Sequence, residues 1–503
     1  MQVTDLGAAL RGWARQHGDR PAVIGERDAL SFAGLDRAAD AWAAALHADG
    51  CGPGVHVGLL AGNSPAWLAA AFGVWRAGAT LVPISTFATA RELMEIIGHA
   101  DIGRLIVQPR LGSHDYLALI EAMPAAVRPA RIIPLADPAA APTMSDTTAR
   151  IDPESIACIL YTSGTTGRAK GVMLSHRAIL ATVGPTSART GLTTDDALLS
   201  TLPLFWVAGL VIRTLPTLAA GCAMIVLERF TPEAVLDQLR RHRPTALHLR
   251  PPQVGQILSH AEFEPALLAG VRRGGGRVEW FHPHLDARTT ALITGYGMTE
   301  AAGYVTALDW RDPPGVRATQ IGRPLPGVEL RIADADGRAC APGVQGEVRV
   351  RAPGLFSGYY KQISGSGLDA DGFFCTGDLG CVDAAGVFHF AGRSKDLLRV
   401  KGINVSPAEV ESVLGGHPAV DSAYVVGLPP DGLEQELVAL IVTRGNAPLH
   451  EGELRALAAQ DLSHYKRPTH YIQLRRDQVP LSATAKPQRA ALAALATGRL
   501  RSS

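Results

Sequence analysis

The residues most able to do chemistry form one loop. Strand-like Ile156–Leu160 leads through Tyr161 into Thr162, Ser163, Gly164, Thr165, Thr166 and Gly167, then Arg168, Ala169, Lys170 and Gly171. A second apolar run follows, ending at Ser175, which can cap the next helix. An unbroken stretch of hydroxyls and glycines lets successive backbone N–H groups and several O–H groups converge on one point, the geometry a polyanion needs. Lys170 adds a point charge. Two other phosphate loops fail on spacing. A Walker loop needs Gly-Lys-Ser/Thr, but Lys170 lies between Ala169 and Gly171. A dinucleotide fingerprint opens a helix, whereas this loop joins two strands. The bland alternative is a glycine-rich hairpin, for which six hydroxylic or glycine residues in a row are a costly composition.

The elements that must hold this loop alternate. Apolar runs at 55–60, 81–83 and 105–107 are followed by amphipathic helical patterns at 66–76, 91–99 and 116–123, and residues 224–227 precede a helix at 232–241. That alternation predicts an α/β body of layered, largely parallel sheets and helices. From Ile321 to Ala391, glycines and prolines punctuate short alternating strands, which predicts a β-rich, antiparallel submodule completing an N-terminal body of residues 1–391. Residues 392–503 form a small α+β unit. In it, Ser406, Pro407 and Glu409 spell a capping box.

Composition narrows the partners. The 503 residues carry 48 Lys+Arg against 47 Asp+Glu, a net charge of +1 that disfavours nucleic acid as the main ligand. With 47% hydrophobic and 19% charged residues the chain folds and is not disordered. The six cysteines have neither metal nor disulfide spacing, and no secretory leader opens the chain, so a cytoplasmic, reduced protein is expected. The most apolar stretch, 210–227, is broken by Arg213, Pro216 and Gly221. It is read as a buried strand-helix-strand passage and not as a membrane span. His282 and His284 flank a proline without further ligands and are not a metal site.

The loop from Tyr161 to Gly171 resembles the signature phosphate loop of the adenylate-forming superfamily, which includes acyl- and aryl-CoA synthetases. Four further segments resemble that family's motifs in order: Gly295-Tyr296-Gly297-Met298-Thr299-Glu300, Thr376-Gly377-Asp378, Gly392-Arg393-Ser394-Lys395 with Lys401 to Glu409, and Pro480 to Lys486. The resemblance implies ATP- and Mg²⁺-dependent activation of a small carboxylic acid to an acyl-adenylate, then transfer to CoA. It places Thr162 to Gly167 and Lys170 on the β- and γ-phosphates, Thr299 on the α-phosphate and Glu300 on Mg²⁺. Tyr296 would stack on adenine against Gly274 and Gly275, and Asp378 with Arg393 would hold the ribose. Lys486 would neutralise the reacting carboxylate and α-phosphate. Lys395 would be the hinge of a mobile C-terminal lid that brings Lys401 toward the site for the second step.

Phe205, Trp206, Gly276, Arg277, Gly303 and Tyr304 are the candidates for the acid pocket. Trp206 stands where many relatives have histidine, which makes that position a pocket wall. Arg277 is a candidate to face a polar or anionic group on the substrate, with Glu279 or solvent as its alternative. Ala485 replaces a usual glycine beside Lys486, and Pro487 follows. Two other functions stay open. One is transfer to a carrier-protein phosphopantetheine or to a nitrogen nucleophile. The other is a nucleotide-binding regulator with a decayed site, which acid-dependent pyrophosphate exchange would exclude. Monomer and homodimer are equally compatible with the sequence.

Overall fold

The computed structural model describes residues 4–135, 151–162, 170–362, 367–393, 397–400, 403–429, 435–462, 464–482 and 486–501. The chain divides into two compact units. The larger comprises Met1–Glu329 with Val350–Phe374, and the smaller Leu330–Arg349 with Cys375–Ser503.

The larger unit is α/β, built on two seven-stranded sheets. In the first, strands Ala291–Ile293, Arg273–Gly275, Ala246–His248, Ala197–Ser200, Ala223–Val226 and Pro21–Ile24 lie side by side and parallel, with Ala29–Ser31 antiparallel at one edge. In the second, His56–Leu60 is flanked in parallel by Thr80–Pro83 and Arg104–Val107, and Ile156–Thr162 continues the sheet. Lys170–Ser175 runs antiparallel to Ile156–Thr162, so the sheet carries a hairpin where the loop chemistry was expected. The strands at 55–60, 81–83 and 105–107 appear within a residue of expectation, as do helices Pro65–Arg76, Ala90–His99 and Pro232–His242.

Helix Pro65–Arg76 shows how the body is held. Ser64 caps it by accepting from Trp67 N–H at 3.1 Å, and Pro65 sits where its missing N–H costs nothing. Trp67, Phe72 and Trp75 are fully buried in the main core. Trp75 also donates its indole N–H to the Ala157 carbonyl at 2.9 Å, tying the helix to the strand that feeds the loop. Ser175 caps helix His176–Thr190 as expected, accepting from Ala178 N–H at 3.1 Å.

Two local expectations are corrected. Residues 210–227 are not strand-helix-strand. A π-helical turn, Ala208–Thr214, runs into helix Leu215–Ala219 and then strand Ala223–Val226. The capping box at Ser406 does not form either. The Ser406 hydroxyl donates to the Ala391 carbonyl, and Glu409 pairs with Lys466 at 2.6 Å. Both side chains are engaged away from the helix end.

The smaller unit is α+β. Strands Glu329–Ala333, Gly346–Arg351, Phe374–Val382 and Phe388–Arg393 form a four-stranded sheet, the last pair antiparallel. Strands Val420–Leu428, Glu436–Thr443 and His470–Leu474 form another. The middle strand of that sheet is buried on both faces. Leu437, Ala439 and Ile441 pack with helix Pro407–Gly415, while Val438, Leu440 and Val442 pack with helix Arg489–Arg501. No helix among the described residues is long and apolar enough to cross a membrane.

Candidate active site

Thr162 and Lys170 face each other across the hairpin mouth, as register partners of the two strands. Ser163, Gly164, Thr165, Thr166 and Gly167 lie outside the described residues. The short strand Gly358–Tyr359 adds to the hairpin's outer edge, with Tyr359 opposite Val172. This register carries Tyr359 under Lys170, whose Nζ lies 4.9 Å from the ring centroid. The Tyr359 hydroxyl in turn donates to Glu300 Oε1 at 2.9 Å. Burial first, and the Glu300 charge second, push the Tyr359 phenol well above its ordinary value. It therefore stays protonated and remains a donor at any working pH. Lys170, Tyr359 and Glu300 form one connected line, and Tyr359 is the member that sequence reasoning missed. Its only sequence signal is a tyrosine beside Gly358 in a loop of unclear pairing.

Thr299 and Glu300 open a single helical turn, Thr299–Ala301, directly after strand Gly295–Met298. The chain then reverses within two residues, Ala302 at φ 50° and Gly303 at φ 124°. That reversal lays Gly303 against Met298 and Tyr304 against Gly297, and fixes both candidate ligands at the end of a two-strand ribbon. Among the described residues no cluster of three His, Cys, Asp or Glu could hold a metal by itself. A single carboxylate at Glu300 still suits Mg²⁺, which is commonly bound through one or two carboxylates and the substrate's own phosphates.

The three glycines have separate reasons. Gly274 lies at φ 141° with Leu247's carbonyl where a Cβ would go, and Gly276 at φ 115° has the Trp280 ring 2.6 Å from that position. Gly275 has no left-handed φ and is small because His248 and Arg213 press against it. Tyr296 is buried on the neighbouring ribbon.

Around the acid-pocket candidates, Phe205, Trp206 and Phe87 meet edge to face or tilted, with centroids 5.5 to 6.0 Å apart, and Arg250 sits 5.9 Å from the Trp206 ring. Trp206 is thus part of an aromatic wall. Arg277 is anchored on backbone. Its guanidinium donates to the carbonyls of Arg317 at 2.8 Å, Ala318, and Gln320 at 3.1 Å, and not to Glu279.

In the smaller unit, Asp378 is 5% exposed and stands opposite Arg393 in an antiparallel pair, with Arg393 Nε 3.1 Å from Oδ1. Thr376 Oγ1 accepts from Asp378 N–H at 3.0 Å and donates to the Val348 carbonyl at 2.6 Å, which pins the turn carrying the carboxylate. Lys486 is exposed; its carbonyl accepts from Ser482 N–H at 2.8 Å and its own N–H donates to the Ser482 hydroxyl at 3.2 Å. Lys395, Lys401 and Ala485 lie outside the described residues.

The chain is similar to known proteins over most of its length. Residues 10–360 match the family described as AMP-binding enzyme, and residues 409–486 match the AMP-binding enzyme C-terminal domain. Indoleacetate–CoA ligase from Aromatoleum aromaticum is 31% identical over 480 residues, covering 92% of each chain. The fold is similar to ATP-bound MatB from Rhodopseudomonas palustris, with TM-score 0.83, 28% identity, and 97% and 98% of the two chains covered. It is also similar to the amide bond synthetase McbA from Marinactinospora thermotolerans, with TM-score 0.82, 30% identity, and 97% and 99% covered.

Proposed function

The chain belongs to the AMP-binding enzyme family, whose members activate acids by adenylation, and from that premise we propose that this protein is an acid–CoA ligase. In the first step a carboxylate oxygen attacks the α-phosphorus of ATP, the bond to the bridging oxygen breaks, and pyrophosphate leaves. In the second, the CoA thiolate attacks the acyl carbon and AMP leaves with the electron pair of the C–O bond. Charge grows on the phosphates in the first step, so placed cations and donors are the catalytic need.

The single observation that carries the reading is the Lys170–Tyr359–Glu300 line at the mouth of the hydroxyl- and glycine-rich hairpin. Lys170 and the loop from Thr162 to Gly167 cradle the β- and γ-phosphates. Thr299 donates to the α-phosphate. Glu300, held by Tyr359, offers an oxygen to Mg²⁺, which when bound neutralises phosphate charge. Tyr296 stacks on adenine above Gly274 and Gly275, Asp378 accepts from the ribose hydroxyls beside Arg393, and Lys486 meets the reacting carboxylate. Residues 1–391 act as the body and 392–503 as a lid turning at Lys395, so that Lys401 replaces Lys486 for thioester formation. The protein works in the cytoplasm, a reducing compartment in keeping with its six free cysteines.

The similarity to indoleacetate–CoA ligase over nearly the whole chain favours CoA as acceptor. The comparable similarity to an amide bond synthetase supports the second reading, a nitrogen acceptor. AMP formation measured across a panel of acids, with and without CoA, separates them. A ligase makes AMP and thioester in a CoA-dependent way. No thioester with any acid, but acid-dependent pyrophosphate release and an amide with added amines, would replace this reading with the second.

A further inference from the structure

The apolar stretch that begins at Leu210 contains one charged side chain, and the fold buries it. Arg213 lies in the π-helical turn Ala208–Thr214 and is 2% exposed. One Nη donates to the Tyr304 hydroxyl at 2.5 Å, and the guanidinium carbon sits 5.5 Å from that ring's centroid. The Nε–H is sealed from solvent with no acceptor, and among the described residues no carboxylate pairs with the charge. His248 beside it repeats the pattern, its Nδ1 sealed and without a partner. Burial, and then the Arg213 charge, hold that imidazole well below its ordinary pKa, so it is neutral. Both groups converge on Gly275. A Cβ there would overlap the His248 ring and come 2.7 Å from Arg213 Nη2. Since Gly275 has no left-handed φ, it is glycine to let these two groups in.

A buried guanidinium whose only side-chain partner among the described residues is a neutral phenol is half of an ion pair. The Tyr304 oxygen accepts from arginine, which leaves its O–H proton to be donated onward to the same acceptor. Neutral His248 presents one more donor in its Nδ1–H tautomer. These donors and one uncompensated positive charge thus gather at Tyr304, an acid-pocket candidate, and against Gly275, the chain neighbour of Gly276, while Arg277 directs three hydrogen bonds to backbone carbonyls. We propose that Arg213, Tyr304 and His248 form a subsite for a second anionic group on the acid substrate, so that the preferred acid bears a carboxylate or sulfonate besides the carboxylate that is activated. This rests on the acid-activation reading above and narrows its substrate class.

The test uses acid pairs that differ only in the second group: butanoate with succinate, hexanoate with adipate, propanoate with 3-sulfopropanoate, and phenylacetate with its para-carboxylate. Pyrophosphate release gives kcat/KM for each, and calorimetry without ATP gives binding. The full-length wild type is expected to prefer one charged member by about 100-fold or more, because a site built for a polar group rejects the analogue lacking it. Which charged member wins distinguishes carboxylate from sulfonate. Arg213→Met is expected to invert that preference, Arg213→Lys to restore part of it, and Tyr304→Phe to reduce it while leaving the cation in place. Should Arg213→Met not fold, as judged by its melting curve, the lysine and phenylalanine variants carry the same ratio test. Wild-type preference for the uncharged members, or an unchanged ratio in the variants, overturns the subsite and leaves acid activation standing. Arg213-dependent binding of a diacid without pyrophosphate release from any acid keeps the subsite and overturns acid activation. Neither binding nor release overturns both.

Discussion

Replacing Tyr359 by phenylalanine removes one hydroxyl and leaves the ring under Lys170 in place. What is lost is the 2.9 Å donation to Glu300 Oε1. A hydrogen bond to a charged group is worth about 1.5–3 kcal/mol, which converts to roughly 10- to 150-fold. Loss of an outer partner of a metal ligand costs about 10–100-fold in metal affinity, so the two scales agree. The expected result is a half-saturating Mg²⁺ concentration for acid-dependent pyrophosphate release raised by about tenfold or more, with much of the rate regained at high Mg²⁺. Because the phenol stays protonated, the shift should be the same from pH 6 to pH 9. Tyr359→Leu also removes the ring face, and should cost about threefold more through the lost cation contact. The assay is initial rate against free Mg²⁺ for the three proteins, with melting temperature as a folding control. An unchanged Mg²⁺ dependence in Tyr359→Phe, or a loss equal at every Mg²⁺ concentration, would refute the claim that Tyr359 positions Glu300.

Three further outcomes are expected. Lys486→Ala should abolish acid-dependent pyrophosphate exchange while ATP binding by calorimetry is largely kept; exchange at the wild-type rate would remove Lys486 from the first step. His176 is pushed down to about 4, by burial first, and its Nδ1 accepts from Leu6 N–H at 3.3 Å, so it is neutral when folded and charges on unfolding below its ordinary value of 6.5. Its stabilisation is present above pH 6.5 and lost as pH falls toward 4. Near pH 5 the loss is about 2 kcal/mol, measurable by urea unfolding as a steeper acid decline in wild type than in His176→Gln. Trp75→Phe strands the Ala157 carbonyl and opens a cavity, and should lower urea stability by about 2–4 kcal/mol; a change below about 1 kcal/mol would show that neither term matters.

The layered α/β body was legible because strand and helix periods alternate over residues 55–123, and local caps such as Ser175 are decided within a few residues. The hairpin strands that carry Thr162 and Lys170 were legible from the apolar runs on either side of the loop. Tyr359 was not, since its meeting with Glu300, 59 positions away, depends on a two-residue strand adding to the hairpin in one register. Arg213 was visible only as a blemish in an apolar run. Its burial follows from a π-helical turn that hydrophobic periodicity does not announce. The Ser406 box failed for the opposite reason. Its local signal was sound, but Ala391 and Lys466 offered partners that sequence spacing cannot reveal.

The central claim, acid activation followed by transfer to CoA, is tested most directly by one product analysis. The full chain is incubated with ATP, Mg²⁺, the panel of acids, and CoA with a primary amine in equal concentration, and the products are identified by mass. The account predicts acyl-CoA and AMP in equal amounts for at least one acid, with little amide. Amide and AMP without thioester would contradict the acceptor, and no AMP from any acid would contradict the activation itself.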